Sequence, residues 1–233
     1  MRKEKIGDFI KKYFSEFALI FISVILAFAL TEWSNNQGKK VSEDKIYLEI
    51  LNGLKKDSID VAGNIEAHKN GFKACDYFRR IITNKPAGLD SLQMHYFLLT
   101  RNVISVQNTS GYETLKSKGL ETVENDSLRN KIITLYEYDY QIMKKFEEDF
   151  QENQFYENYF FEFNKAIAPN FKFDETGNIV GLNLPLKITN AEKNILLSYL
   201  WKIQISRAER MQANKSLNKK INTLYSEVEK TIK

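Results

Sequence analysis

Few residues in this chain have the types and spacings that chemistry requires. The only histidines are His68 and His95, and no His-Glu-x-x-His or other histidine pair at helical spacing is present to build a catalytic zinc site. His68 falls on an apolar seam, where a core or boundary histidine with one satisfied nitrogen is expected and metal ligation is the alternative. His95 precedes Tyr96 and Phe97 and reads the same way. The single cysteine, Cys75, excludes an intramolecular disulfide and a thiol-only zinc site. With Phe72 and Phe78 one turn away, it is expected as a small buried hydrophobe, against a reactive thiolate or an intermolecular disulfide.

The stretch "FEEDFQE" places Glu147, Glu148, Asp149 and Glu152 close together. Glu148 and Glu152 would share a helix face, as diiron carboxylate helices require. Those sites also need Glu-x-x-His, which is missing here, so a solvated acidic face is expected. No glycine falls into a phosphate-cradling motif. The expectation is therefore no enzyme, no cofactor and no resident metal. An enzyme would need a convergent acidic pocket with a bound metal.

Charge narrows the partners. There are 34 Lys and Arg against 30 Asp and Glu, a net charge of +4, too mild and too dispersed for a nucleic-acid footprint. Lys202, Arg207, Arg210, Lys215, Lys219 and Lys220 are expected on a solvated face of the last helix, with anionic lipid or an acidic partner as the alternative contact. The segment "FYENYFFEF" brings together Phe155, Tyr156, Tyr159, Phe160, Phe161 and Phe163. Such side chains fill a wide core or form a partner surface.

These residues must sit on helices. Ten Gly and three Pro among 233 residues leave long stretches without breakers. Tyr47, Leu51, Leu54, Ser58, Val61, Ile65, His68, Phe72, Cys75, Arg79 and Ile82 step by three and four, a seam with a period near 3.5. Asn84-Lys85-Pro86 ends that helix. Two short helices follow, the second starting at Thr109 or Ser110 and stopping at Gly119, with "VISVQN" between them as a loop or extended segment. Asn125 or Asp126 caps a long helix expected to run to Pro169. "FDETGNIVGLNLP" reads as a loop with a short hairpin about Thr176-Gly177-Asn178. Thr189 and Glu192 form a capping box for the last helix, whose seam includes Leu200, Ile203, Met211, Leu217, Ile221, Leu224, Val228 and Ile232, interrupted by Asn214. The fold class is all-α: an N-terminal transmembrane helix followed by an antiparallel helical bundle of long amphipathic helices.

The transmembrane reading rests on "EFALIFISVILAFALTEW". Residues 14–33 make a helix of roughly 30 Å, the hydrocarbon thickness of a bilayer. Polar residues cluster at its ends, where Glu16 reaches headgroups. Tyr13, Phe14 and Trp33 suit interfacial belts, and Ser23 can return its hydroxyl to the backbone. Ala27-Phe28-Ala29 also fits a signal-peptide cleavage site, and a buried core helix is the third reading. Arg2, Lys3, Lys5, Lys11 and Lys12 precede the span, so the positive-inside rule puts the N-terminus in the cytoplasm. The expected organisation is a basic cytoplasmic segment 1–13, a span 14–33, a polar hinge 34–40 and a periplasmic helical-bundle domain 41–233 at a bacterial inner membrane.

The span, with Glu16, Ser23 and Trp33, resembles the anchor of an uncharacterised family of small bacterial single-pass membrane proteins with a helical extracytoplasmic domain. "TSGYETLKSKGLETVENDSLRNKIITLYEYDY" resembles that family's other recurring segment, with a Tyr-x-x-Leu-x-x-x-Gly core at Tyr112, Leu115 and Gly119 and then Leu128-Arg129. Ser23 stands where the family usually has Gly, and Thr31-Glu32 replaces an Asn-rich approach to the Trp. The resemblance covers about half of the chain, implies a bacterial membrane location and transfers no catalytic residues.

The expected function is a membrane-anchored module for protein interaction or structure. Its partners would be membrane lipid and another protein or a second copy, with contact in the membrane through Ser23 and Ala27, since small residues allow close helix approach. The alternative is a helical domain that senses a ligand or the envelope state.

Overall fold

In the computed structural model the chain opens with a single helix, α1, from Arg2 to Ile82. The structure describes residues 2–232, except the side chains of 2–13, Ser15 and Glu16. The anchor side chains expected at Tyr13 and Glu16 thus lie outside the described residues. The segment 34–40, expected as a polar hinge, is helical throughout. Its one glycine costs about 1 kcal/mol and no proline interrupts the ladder, so propagation from both sides carries the helix across.

Within α1, an 18-residue window has a mean hydropathy of 2.0 and is 0% buried. By length and composition this helix can cross a membrane. Nothing in the fold covers Phe14, Ser23, Ala27 or Trp33, all of which are exposed. The buried-core reading of this segment therefore fails. Its hydroxyls are turned inward: Ser23 donates to the Leu19 carbonyl (2.7 Å) and Thr31 to that of Ala27 (2.8 Å).

Burial begins at Ile46. From there α1 pairs with α7 (Asn190–Ile232). Ser58 donates to Asn218 (2.9 Å), Arg207 lies against Gly71, and Arg79 donates to Gln204. Rising numbers on α1 meet falling numbers on α7, so the two helices are antiparallel. α1 ends in a Schellman turn: Asn84 has φ 57°, Lys85 N–H donates to the Arg80 carbonyl (2.7 Å) and Asn84 N–H to that of Ile81 (3.0 Å).

α2 (Leu92–Leu99) and α3 (Ser110–Lys118) pack on α1. Gly111 permits this approach, since a Cβ there would come within 2.6 Å of Ile50 N. Gly119 ends α3 at φ 98°, as its place as a stop requires.

α4 (Asp126–Ile133) starts at Asn125, which accepts from Leu128 N–H. It continues through a π-helical turn, Thr134–Asp139, into α5 (Tyr140–Glu148). The single helix expected to reach Pro169 instead breaks after Glu148 and resumes as a π turn and α6 (Phe161–Ile167). The cause is tertiary. Asn153 donates to the Phe146 carbonyl and Gln154 to those of Glu147 and Glu148. These bonds cap α5 and deliver Phe155 into the core, overriding helix propensity.

The hairpin is present: β1 (Phe171–Phe173) pairs antiparallel with β2 (Ile179–Leu182), turning at Gly177 with φ 84°. The capping box also forms, with Thr189 N–H on Glu192 (2.7 Å) and Glu192 N–H on Thr189 Oγ1 (3.2 Å). With one two-stranded sheet among helices, the fold is all-α.

Two apolar cores stack along the α1–α7 pair. The one nearer the apolar segment joins Ile50 and Leu54 to Leu115, Ile132, Tyr140, Ile221 and Val228. The distal one joins Phe78 and Ile81 to Leu92, Phe155, Phe163, Leu200 and Ile203.

Candidate functional site

Between the two cores lies a buried polar layer, and it is built on the α7 seam itself. Arg207, Arg210 and Asn214 are 1%, 0% and 0% exposed. The arginines were expected on a solvated face, and the structure corrects this. Leu200, Ile203, Arg207, Arg210, Asn214, Leu217 and Ile221 alternate steps of three and four, so the apolar stripe and the three polar residues share one face. Lys202, Lys215, Lys219 and Lys220 do lie exposed.

A buried guanidinium must find acceptors. Arg207 Nη2 donates to the carbonyls of Leu98 (3.1 Å), Leu99 (2.9 Å) and Arg101 (3.1 Å). Leu98 and Leu99 are the last residues of α2, so the cation caps that helix where its dipole is negative. Arg207 also stacks on Phe155, 4.4 Å from the ring centre. Arg210 Nη2 donates to the Val103 carbonyl (3.0 Å) and to that of Glu147 (3.4 Å) in the last turn of α5. Burial pulls the Arg207 pKa down to about 10, which leaves it cationic at neutral pH.

The layer holds an extended strap, residues 100–109, that belongs to no sheet. Carbonyls in the first half of the strap accept from the arginines. Amides in its second half donate to carboxylates: Ser105 to Glu147 (2.7 Å), Val106 to Asp60 (3.0 Å) and Asn108 to Asp57 (2.7 Å). Asp57 also accepts from Tyr140 Oη (2.6 Å), and Asn64 donates to Ser105 Oγ (3.1 Å). Side chains of α1, α5 and α7 thereby replace the strand partner this backbone lacks.

Glu147 is 2% exposed, although the acidic stretch was expected to be solvated; Glu148, Asp149 and Glu152 are exposed as expected. Because α5 ends at Glu148, the anticipated pairing of Glu148 and Glu152 on one face does not occur. Burial raises the carboxyl pKa of both Glu147 and Asp57, against the hydrogen bonds that lower it. His68 is fully buried. Desolvation, then Arg210 and Arg207, push it down to about 3, so it is neutral. Its Nδ1 faces Arg207 Nη1 at 3.4 Å and its Nε2 has no partner, which fits a core histidine. His95 stacks on Tyr77, with ring centres 4.2 Å apart. Cys75 is buried, and desolvation pushes its thiol up to about 12.

The aromatic segment divides. Phe155, Tyr159 and Phe163 point into the distal core, so these three are not partner surface. Tyr156 and Phe161 are exposed and Phe160 is half-buried. Tyr156 stacks on Phe160 (4.6 Å), and both line an open cleft of about 560 Å³ with Tyr96, Phe97 and Arg101.

In the polar layer Arg207, Arg210, Asp57 and Glu147 each bond to backbone groups of α2, α5 or the strap, so it acts as a clasp. No group of three or more His, Cys, Asp or Glu among the described residues can hold a metal ion. No family model, no curated protein and no solved structure matches the chain.

Proposed function

We propose that this protein is a single-pass membrane protein whose helical bundle serves as an interaction or structural module outside the cytoplasm. The observation that carries the reading is the continuity of α1: one helix contributes both the uncovered apolar window and the central helix of the bundle. A bundle joined this way moves with its anchor. The lysines before the span favour a cytoplasmic N-terminal segment and a periplasmic bundle at a bacterial inner membrane. The resemblance of the anchor and of 109–140 to small bacterial single-pass membrane proteins agrees with it. The clasp supports a rigid scaffold, because Arg207, Arg210, Asp57 and Glu147 are each bound to fixed backbone groups.

Purification of the tagged full chain from native membranes in mild detergent, with native mass spectrometry, tests the reading. A stoichiometric protein partner or a defined homo-oligomer supports it; a solitary monomer contradicts it.

The second reading is a sensor of a ligand or of envelope state. Its specific support is the cleft between Phe97 and Tyr156–Phe160, where Arg101 sits 4.7 Å over the Phe97 ring. Aromatic walls with a few polar groups suit a small ligand. A ligand-dependent rise in melting temperature, lost in Tyr156→Ala, would favour it.

A further inference from the structure

The grooves beside α4–α5 are filled unequally. Toward α1, α3 and the strap occupy the space: Tyr112 stacks on Tyr136 at 4.7 Å, Lys116 pairs with Glu137 at 3.2 Å, and Asn108 is tied to Asp57. Toward α7 the groove is open. Two depressions of about 680 and 510 Å³ lie there and share Asp139, Ser216 and Lys220, so they form one trough. It follows α7 from Ala213 to Leu224, about 16 Å at 1.5 Å per residue, or three helical turns. Leu135 and Leu217 line it, and Ile142 and Phe150 stand beside them about half-exposed. The π turn supplies Thr134, Leu135 and Asp139 to the wall, and such turns recur at functional sites.

The rim is basic. Lys131 pairs with Glu227 and Lys220 with Asp139, both at 2.7 Å or closer. Lys145 and Lys219 are exposed on the same rim, and neither has an ion-pair partner among the described residues. Among the described residues Asp139 is the only carboxylate lining the trough, and it is already paired.

We propose that this trough binds an amphipathic helix with acidic flanks, supplied in trans by a partner protein. α3 fills the groove between α1 and α4–α5, and a helix laid between α5 and α7 would fill the opposite one in the same way. Its apolar stripe covers Ile142 and Phe150, above the buried Leu135 and Leu217 of the trough floor; its carboxylates meet Lys145 and Lys219. The same face of a second copy is ruled against by its own lysines, because an isologous contact sets like charges together. A bilayer surface is too flat to enter a concave trough. The inference rests on the interaction reading above and names the partner's chemistry.

A photo-reactive benzoylphenylalanine placed at Ile142 or, separately, at Phe150 of the full chain in native membranes provides the test. Control positions are Ile59, on the outer face of α1, and Tyr156 and Phe161. The expected result is one protein adduct from both trough positions. Its crosslinked peptide, read by mass spectrometry, is amphipathic with Asp or Glu at the flanks. Lys145→Glu with Lys219→Glu lowers the adduct yield about tenfold, while Lys→Arg at both retains it. An adduct to a second copy, to lipid, or to a neutral or basic segment overturns the proposal. Adducts at Tyr156 or Phe161 alone overturn the trough and leave the interaction reading standing. No adduct at any position overturns both.

Discussion

The guanidinium of Arg207 occupies the space that a side chain at residue 71 would need: a Cβ on Gly71 would overlap Arg207 Cζ. The helix pair closes at this level only because α1 has a glycine there. Gly71→Ala should therefore destabilise the fold by about 2 kcal/mol, although alanine is the better helix former by about 1 kcal/mol. Gly63, on the same helix, has nothing within 4 Å of a built Cβ, so Gly63→Ala should stabilise by up to about 1 kcal/mol. Chemical unfolding of the full chain in detergent, followed by far-UV circular dichroism, separates the two. Equal effects of the two substitutions would refute the packing at Gly71.

Arg207 should tolerate no replacement. Methionine leaves the Leu98, Leu99 and Arg101 carbonyls without their donor, and lysine keeps the charge but loses the planar fork and the stacking on Phe155. A loss of about 3 kcal/mol or more is expected for Arg207→Met, and somewhat less for Arg207→Lys. Hydrogen exchange localises the damage. The Ser105, Val106 and Asn108 amides should exchange faster before the rest of the bundle does. Uniform acceleration along the chain would contradict the role of the layer as a clasp on the strap.

The buried titratable groups oppose one another. His68 is lowered from 6.5 to about 3. Its contribution is complete above pH 6.5 and is lost as pH falls toward 3, by up to about 1.4 kcal/mol per pH unit. Glu147 and Asp57 are raised from 4.5 and 3.8. Their contribution is present below those values and is lost as pH rises through the native ones. His68→Gln isolates the first effect. The stability advantage of the natural chain over this variant should shrink between pH 7.5 and 5.5, whereas a constant difference would show that His68 is protonated equally in both states.

Gly119, at φ 98° and ψ 131°, closes α3 in a conformation that side chains avoid. Gly119→Val should lower stability by about 1 kcal/mol or more. An unchanged unfolding midpoint would contradict that backbone geometry.

Much of the architecture was legible because it is local. The Asn125 cap, the Thr189–Glu192 box, the stop at Gly119 and the hairpin at Gly177 each depend on a few neighbouring residues. The polar segment 34–40 stays helical because polarity alone does not break a helix. The end of α5 was hidden because its cause lies in Asn153 and Gln154 folding back and in Arg210 from a distant helix. The polar layer was partly visible. Steps of three and four through Ile203, Arg207, Arg210, Asn214 and Leu217 mark the arginines as inward-facing. Arginine is an exposed residue type by default, and only the carbonyls of α2 and the strap explain how such burial is tolerated.

The central claim is that residues 14–33 remain in the bilayer with the bundle outside the cytoplasm. Glu66→Cys offers the most direct measurement, since position 66 is exposed on α1 and the native Cys75 is buried with its thiol pushed up to about 12. Intact spheroplasts carrying the full chain would be treated with a membrane-impermeant maleimide, and the labelled protein weighed. The account predicts labelling without lysis, on a species whose mass includes the residues before Ala29. Labelling only after lysis, or a mass that begins at Leu30, would contradict it.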